Sequence, residues 1–248
     1  MTSVTVADTA TVIKVTDLVQ KIGPRTVLDG LNFTVARGEC FGVSGAGGSG
    51  KSTLLHILAG IDRFSSGTVE VFGCNASKNE AFKRYTGLVT QERSLFQDLN
   101  AGENLDYIAV LKNAPRENIP GLARRLELEQ ILNTPVDTLE DGAYQCLALA
   151  CALLNEPKLL IVDEPAYNID RHSRQLIMKE LSAFLSAGGT CVWGFGAGEP
   201  ALLDRMTGVG RLEGGRMTVY PPEKVRRIWE ENCAWSCDRL PESGEEET

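Results

Sequence analysis

The stretch Cys40–Gly60 reads CFGVSGAGGSGKSTLLHILAG and contains the pattern G-x-x-x-x-G-K-[ST]. The apolar run Cys40–Ser44 before the glycines predicts a strand, and Thr53–Ala59 after them predicts a helix that ends at Gly60. Glycines let backbone N–H groups turn towards phosphate oxygens, and a helix N-terminus adds partial positive charge. The stretch therefore predicts a phosphate-binding loop. A chance glycine-rich turn is the alternative.

This loop also supplies candidate ligands for a nucleoside triphosphate. Lys51 would reach the β- and γ-phosphates, and the Ser52 hydroxyl would bind Mg²⁺. The predicted cofactors are therefore ATP and Mg²⁺. The predicted nucleotide-binding residues are Gly45, Ala46, Gly47, Gly48, Ser49, Gly50, Lys51, Ser52 and Thr53.

A second motif, KLLIVDEP at Lys158–Pro165, supplies carboxylates for the metal. The apolar run Leu159–Val162 predicts a strand buried on both faces, and Asp163 follows it. Asp163 would lie beside the Mg²⁺, and Glu164 would orient and polarise an attacking water. Adjacent acids at the end of a buried strand are costly unless a cation or hydrogen bonds compensate them. The alternative is a strand that runs into a polar turn before Pro165.

Strand-like runs alternate with helical patterns along the rest of the chain. Alternating apolar residues at Ile13–Val19, Leu31–Val35 and Gly67–Val71 predict strands near an antiparallel edge. The unbroken apolar run Thr190–Trp193 predicts another buried strand. Between residues 92 and 157 the pattern is mostly helical. The predicted class is α/β, with a mainly parallel sheet, an antiparallel β edge and a helical insert.

Composition limits the classes of protein that the chain can belong to. The chain has 248 residues and a formal net charge of −8, and it lacks a basic cluster that would follow phosphate backbones, so a nucleic-acid partner is disfavoured. It contains no apolar run of membrane-span length and no secretory leader pattern, which predicts a cytosolic chain. The cysteines are scattered and odd in number, which predicts reduced core thiols. Cys233 and Cys237 fit a helix turn or a metal clip.

Together, these motifs resemble those of the nucleotide-binding subunits of ABC transporters, over a stretch from about Ile13 to Tyr220. The run GLVTQERSLFQDLNAGENL resembles the family's Q-loop, so Gln91 is the candidate glutamine that touches the metal and relays movement to a membrane subunit. The run DEPAYNID resembles the Walker B motif and D-loop, with Asp170 at the D-loop aspartate position. The resemblance implies a P-loop NTPase core. It implies Ser52, Gln91 and Asp163 as metal ligands, and Glu164 and Gln91 as catalytic residues.

The resemblance also implies a domain organisation. Residues 1–240 would form a single ATP-binding domain, with a core at about 12–91 and 157–220 and a helical insert at about 92–156. A C-terminal helix is expected at about 222–235, and the last residues, 241–248, read PESGEEET and predict an acidic disordered tail.

Three positions depart from the family pattern. The family's signature loop, usually LSGGQ, approaches the γ-phosphate held by the partner domain, but Leu139–Ala143 reads LEDGA. The carboxylates of Glu140 and Asp141 would repel a triphosphate, and Asp141 adds a Cβ where the backbone should come close. Gly194–Gly198 lacks the usual switch histidine, and Lys21–Gly23 lies where an aromatic side chain commonly stacks on adenine. The alternative is that LEDGA is an ordinary polar loop before a helix.

These features imply a subunit that binds and hydrolyses Mg-ATP to drive transport through separate transmembrane permease subunits. Such a chain would be cytoplasmic, at the cytoplasmic face of the membrane. With a degenerate signature loop, it is expected to pair with a complete second ATP-binding domain, like the degenerate half of asymmetric or tandem exporter ATPases, and to be weak or inactive alone. The alternative is a nucleotide-sensing regulatory protein that binds ATP without significant hydrolysis. The intact Glu164 favours hydrolysis, whereas LEDGA and the missing histidine favour sensing.

Overall fold

The computed structural model describes residues 10–165, 168–196, 205–224 and 227, and in those ranges the chain folds into two β-sheets packed with α-helices. The strands described are β1 Thr11–Ile22, β2 Arg25–Ala36, β3 Cys40–Ser44, β4 Ser66–Val71, β5 Cys74–Asn75, β6 Thr86–Val89, β7 Leu159–Asp163, β8 Thr190–Phe195, β9 Gly208–Glu213 and β10 Arg216–Tyr220. The α-helices are α1 Lys51–Leu58, α2 Ala101–Lys112, α3 Asn118–Arg125, α4 Asp141–Leu153 and α5 Arg171–Ser186.

The larger sheet brings the two sequence motifs to one edge. Its strand order is β10-β9-β3-β8-β7-β6, and all neighbouring pairs are parallel except β9 with β10. Every residue of β3, β7 and β8 is buried, as the unbroken apolar runs predict. Because the carboxyl ends of parallel strands meet at the same edge, the residues after β3 and β7 come together on either side of β8.

The smaller sheet is antiparallel, with the order β2-β1-β4-β5. It contains all three runs that the sequence predicts for an antiparallel edge. The β2 strand is longer than the predicted Leu31–Val35 because Arg25 and Thr26 already pair with Ile22 and Lys21 across a tight hairpin. Gly23 turns that hairpin with a φ of 58°, a conformation that glycine adopts without steric cost.

The helical insert lies between β6 and β7. It contains α2, α3 and α4, together with short 3₁₀ turns at Glu129–Ile131 and Val136–Thr138. Asn100 begins α2 with a capping box, in which its side chain accepts from the Glu103 N–H and the Glu103 carboxylate accepts from the Asn100 N–H. Most residues of α4 are buried, so this helix joins the insert to the sheet.

Two apolar cores lie on opposite faces of the larger sheet. Leu160 and Val162 of β7 pack in the core that contains the insert, whereas Leu159 and Ile161 pack in the core that contains α1 and the smaller sheet. This alternation is the period of a strand with two buried faces. No helix in the described ranges is both long and apolar enough to cross a bilayer.

The described cysteines are buried free thiols, as predicted: Cys40, Cys74, Cys146, Cys151 and Cys191. Burial raises the pKa of Cys146 and Cys151 to about 12, so both remain protonated at neutral pH. Residues 222–224 are helical, but most of the predicted C-terminal helix lies outside the described residues. Cys233, Cys237 and the 241–248 tail also lie outside them.

Candidate functional site

The glycine-rich loop connects β3 to α1, as the sequence predicts. Gly48 and Gly50 have φ values of 74° and 105°, which favour glycine. A Cβ at Gly50 would lie 3.0 Å from side-chain carbons of both Val27 and Leu28, so space as well as φ requires glycine there. The α1 helix begins at Lys51, before the predicted start, because the Gly50 carbonyl already accepts a helical hydrogen bond from the Leu54 N–H at 2.9 Å.

Lys51 lies under this loop with its side chain directed back to the backbone. The residue is 6% exposed, and its Nζ donates to the carbonyls of Gly45 at 2.9 Å and Ala46 at 3.3 Å. Nζ also lies 3.2 Å from Glu164 Oε1. The ammonium therefore has three oxygen partners at the mouth of the loop, where a phosphate oxygen would compete for it.

Asp163 ends β7 and is 2% exposed. Within the described part of the chain, its Oδ1 is buried and has no hydrogen-bond partner. Burial raises the pKa of this carboxyl, while a hydrogen bond from the Ser52 side chain and the charge of Lys51 act in the opposite direction. A carboxylate oxygen left unpaired beside a serine hydroxyl fits the partial shell that Mg²⁺ takes from a protein when phosphates and water complete it. The site therefore fits the predicted ion, with Asp163 and Ser52 as the residues that would hold it.

Gly194 of β8 makes room for Asp163, a role that neither sequence motif predicts. A Cβ at Gly194 would lie 2.8 Å from Asp163 Oδ1 and 2.7 Å from a methyl group of Leu55. A larger residue would therefore close the space between the two motif-bearing strands. A glycine inside an otherwise apolar buried strand is the signal that could have predicted this close approach.

Glu164 is held in an uncommon backbone conformation beside Lys51. Its φ is 46°, and its N–H donates to the Gly194 carbonyl at 2.9 Å. The run expected to carry a switch histidine passes directly in front of its carboxylate. A Cβ at Gly196 would lie 3.8 and 3.9 Å from the two Glu164 oxygens. Among the described residues of this run, the one that faces the Glu164 carboxylate is therefore a glycine, Gly196. Ala197 and Gly198 lie outside the described residues.

Gln91 lies on the segment that follows β6. It is exposed and comes two residues after Val89, which pairs with Val162 in the neighbouring strand. The segment thus starts at the edge of the sheet where Asp163 ends β7. Metal binding by Gln91 stays a prediction.

The segment Leu139–Ala143, called here the 139–143 loop, includes the N-cap residue of α4 and its first three helical residues. The sequence predicts two repelling carboxylates, and the structure modifies that expectation. Asp141 Oδ1 lies 3.0 Å from Arg93 Nη2, so this acid is paired within its own domain, while Glu140 is exposed and its side chain makes no capping hydrogen bond. Gly142 is buried against the start of α5, where a Cβ would meet side-chain oxygens of Asp170 and Ser173.

Each of the chain's two histidines lies beside an acid. His56 is half-buried, 3.5 Å from Asp62, and His172 is exposed, 2.7 Å from Glu127. Ile22 in the β1–β2 hairpin is 58% exposed, and no aromatic residue occupies its position.

The fold and the glycine-rich loop between β3 and α1 define a nucleotide-binding P-loop α/β domain. The family model for the ABC transporter domain matches residues 28–167, which is more than half of the chain. The chain therefore belongs to the ABC transporter family, and the prediction of an ABC ATPase fold is confirmed.

Similar proteins agree with this assignment. The Nod factor export ATP-binding protein I of Sinorhizobium fredii (strain NBRC 101917 / NGR234) is 37% identical over 183 residues, which cover 72% of this chain and 53% of that protein. The chain thus spans about half the length of this relative. A solved ATP-binding subunit of an ABC transporter superposes with a TM-score of 0.79 at 23% identity, over 88% of this chain and 93% of that one. The ATP-binding cassette MJ0796, solved as a post-hydrolysis dimer bound to ADP and Pi, gives 0.77 at 23% identity, over 85% and 98%.

Proposed function

We propose that the chain binds Mg-ATP at Gly45–Thr53 and hydrolyses it in a closed pair of ATP-binding domains. The observation that carries this proposal is the buried, unpartnered Oδ1 of Asp163 beside Ser52, at the mouth of the glycine-rich loop. A buried acceptor without a partner costs free energy in the free protein. A cation that is held there by phosphates and Ser52 would remove this cost.

The residues of the loop divide the work of binding. Backbone N–H groups of Gly45–Gly50 and the start of α1 would donate to phosphate oxygens, because glycine conformations and the helix N-terminus direct them there. Lys51 would exchange its carbonyl partners and Glu164 for the β- and γ-phosphates. Glu164, once separated from Lys51, is then free to orient an attacking water and accept its proton. Bound Mg²⁺ would neutralise charge on the β- and γ-phosphates.

We further propose that the chain works in an asymmetric pair. In a head-to-tail pair, one composite site would combine this chain's glycine-rich loop with the partner's signature loop. The other would use the 139–143 loop, in which Glu140 is exposed and its side chain makes no capping hydrogen bond. Because a free carboxylate repels a triphosphate, and because Gly196 offers no imidazole beside Glu164, a pair of two copies should turn over slowly.

The proposed role is transport through separate membrane subunits, at the cytoplasmic face of the membrane. Membership of the ABC transporter family supports it, and the name of the Sinorhizobium relative, which refers to export, favours export as the direction. A nucleotide-sensing role without hydrolysis is the second candidate. The observation that favours sensing is Gly196, because in the described part of the Gly194–Gly198 run it is a glycine that faces the Glu164 carboxylate.

Nucleotide binding by the purified full chain tests the first step. We expect Mg-ATP to bind, and Lys51→Ala to weaken binding by roughly 10- to 100-fold, because charge-assisted hydrogen bonds contribute about 1.5–3 kcal/mol. Lys83→Ala is the matched control, since the Lys83 side chain is 38% exposed and pairs with Glu80 at 2.8 Å. Equal affinity for Lys51→Ala and the wild type, measured by equilibrium dialysis, would contradict the proposal.

A further inference from the structure

Arg93 connects the segment after β6 to the 139–143 loop. Its guanidinium donates to the carbonyls of Val136 at 3.3 Å, Asp137 at 3.5 Å and Leu139, and it pairs with Asp141 Oδ1 at 3.0 Å. The side chain is 31% exposed, so the bonds are partly shielded from water. One side chain thus holds the approach to the loop, the loop backbone and the loop's first helical residue.

Neighbouring contacts strengthen the same connection. The Arg93 guanidinium carbon lies 4.7 Å from the centre of the Tyr144 ring, and the Tyr144 hydroxyl accepts from the Leu95 N–H at 2.9 Å. Gln145 Nε2 donates to the Thr90 carbonyl at 3.4 Å. The first turns of α4 are therefore attached to both ends of the segment 90–95, with Arg93 in the middle.

The side chains of the two acids in the 139–143 loop do little by themselves to stabilise its conformation. Glu140 occupies the N-cap position of α4, but its side chain makes no capping hydrogen bond. Without Arg93, the carboxylates of Asp141 and Glu140 would be neighbouring like charges with no cation to compensate Asp141. Arginine suits this place because its planar guanidinium carries five donors in a fixed fork, whereas lysine presents a compact ammonium.

The other end of the segment lies at the metal side of the site. Val89, the last residue of β6, pairs with Val162, and Asp163 follows Val162 on β7. Gln91 lies between Val89 and Arg93. Any movement of Gln91 towards a bound nucleotide would therefore move Arg93, and through its fork the 139–143 loop.

We propose that Arg93 is a positioning residue that ties the 139–143 loop to the segment carrying Gln91, so that the loop responds when this chain binds its own Mg-ATP. The loop that faces the partner's nucleotide thereby reports the state of this chain's site. This inference rests on the proposed binding of Mg-ATP.

Hydrogen–deuterium exchange of the full chain, with and without saturating Mg-ATP, tests the proposal. In the wild type we expect nucleotide to change the exchange of peptides covering residues 136–145 by roughly threefold or more, as for a local opening equilibrium that a ligand shifts. In Arg93→Ala the affinity for Mg-ATP should stay within about twofold, whereas the nucleotide-dependent change in these peptides should disappear.

Further variants separate positioning from folding. Arg93→Lys should recover part of the response, because it keeps the charge but not the fork, and Asp141→Asn should keep more of it, because the carbonyl bonds remain. Arg116→Ala is the matched control. It removes an exposed ion pair, in which Arg116 lies 3.6 Å from Asp106, and should respond like the wild type. If Arg93→Ala does not fold, the other two variants decide. A weaker nucleotide response in Arg93→Lys than in Asp141→Asn supports the inference, and an equal or stronger one contradicts it.

The outcomes distinguish this inference from the proposed function. If the wild type does not bind Mg-ATP, both are wrong. If it binds and the 136–145 peptides do not respond, the inference alone is wrong. The inference is also wrong if Arg93→Ala raises exchange without nucleotide but retains the full nucleotide response, because Arg93 would then only stabilise the loop.

Discussion

The carboxylate of Asp163 is buried under the glycine-rich loop, and burial raises its pKa. A carboxyl whose pKa is higher in the folded state than in the unfolded state contributes stability at low pH that is lost as pH rises through the folded-state pKa. As pH rises above the unfolded-state pKa, this carboxyl therefore lowers the stability of the nucleotide-free protein, and it does so at a position proposed to bind the metal.

Replacing Asp163 with asparagine should separate stability from function. We expect Asp163→Asn to raise Tm at pH 8 by roughly 2–4 °C, equivalent to about 1 kcal/mol, and the gain should shrink as pH falls towards 4. The same variant should lose the additional stabilisation that Mg²⁺ gives in the presence of ATP. Thermal denaturation across pH measures both effects, with the exposed Asp98→Asn as control. A lower Tm at pH 8 would show that the ionised carboxylate stabilises the fold.

Local patterns predict single residues only where their partners are close in sequence or belong to a motif. The placement of Lys51, Ser52 and Asp163 follows from two short motifs, and the structure brings these residues together. Arg93 escaped prediction because its partner Asp141 is 48 positions away, and no spacing rule connects them. The sequence therefore predicted an uncompensated charge at Asp141, whereas in the structure Arg93 pairs with it.

At the scale of elements, the contact between α4 and α5 depends on a glycine. A Cβ at Gly142 would collide with side-chain oxygens of Asp170 and Ser173, and Asp170 caps α5 by accepting from the Ser173 N–H at 2.9 Å. We expect Gly142→Ala to destabilise the protein by about 1–3 kcal/mol, because the cap must move. The measurement is urea denaturation of the nucleotide-free chain.

Gly121→Ala in α3 is the matched control for this prediction. A Cβ at Gly121 would meet only Arg125 Nη1, at an ordinary 3.5 Å. Alanine should therefore be neutral or stabilising by about 0.5–1 kcal/mol, since it reduces the freedom of the unfolded chain. Equal destabilisation by both substitutions would mean that crowding at Gly142 is not the cause.

A buried acid connects α3 to α5. Glu180 is 5% exposed, and the Arg125 Nε donates to its two carboxylate oxygens at 3.0 and 2.9 Å. We expect Arg125→Ala to cost about 1–3 kcal/mol, less than for a fully buried pair because half of the Arg125 side chain is exposed. The neighbouring Arg124 pairs with Glu129 at 3.7 Å on the surface, so Arg124→Ala should cost less than about 0.5 kcal/mol in the same denaturation experiment. Similar losses for both variants would contradict this account of Glu180.

Element type was more predictable than element length. The predicted antiparallel strands and the two buried parallel strands are present because period-2 alternation and unbroken apolar runs are direct signals of burial. The start of β2 was missed because Arg25–Gly30 is largely polar and exposed, and only hairpin pairing makes it a strand. The start of α1 was missed because a left-handed glycine begins that helix.

At the scale of the whole molecule, the class of fold was predictable, but the strand order was not. A mainly parallel sheet with helices follows from the alternation of patterns. That β8 lies between β3 and β7 is a long-range fact, and it explains why Gly194, on the central strand, borders Asp163. Nothing in the local sequence around Thr190 fixes that order.

The proposed asymmetric pairing also concerns the whole molecule. This chain carries a glycine-rich loop and a Lys51–Glu164 ion pair at 3.2 Å, but its 139–143 loop presents the exposed acid Glu140. Each copy would therefore offer a good phosphate site and a poor signature loop. Two copies of this chain should bind nucleotide without closing productively, whereas a partner with a complete signature loop should complete one site.

Steady-state Mg-ATPase activity of the purified chain over a wide range of protein concentration tests this claim most directly. Nucleotide binding is measured in parallel, and Glu164→Gln is the control. The account predicts that ATP binds but that no turnover appears at any concentration without a partner domain. Turnover that rises with the square of protein concentration and disappears in Glu164→Gln would show that the chain closes productively on itself, and would contradict the proposed asymmetric pair.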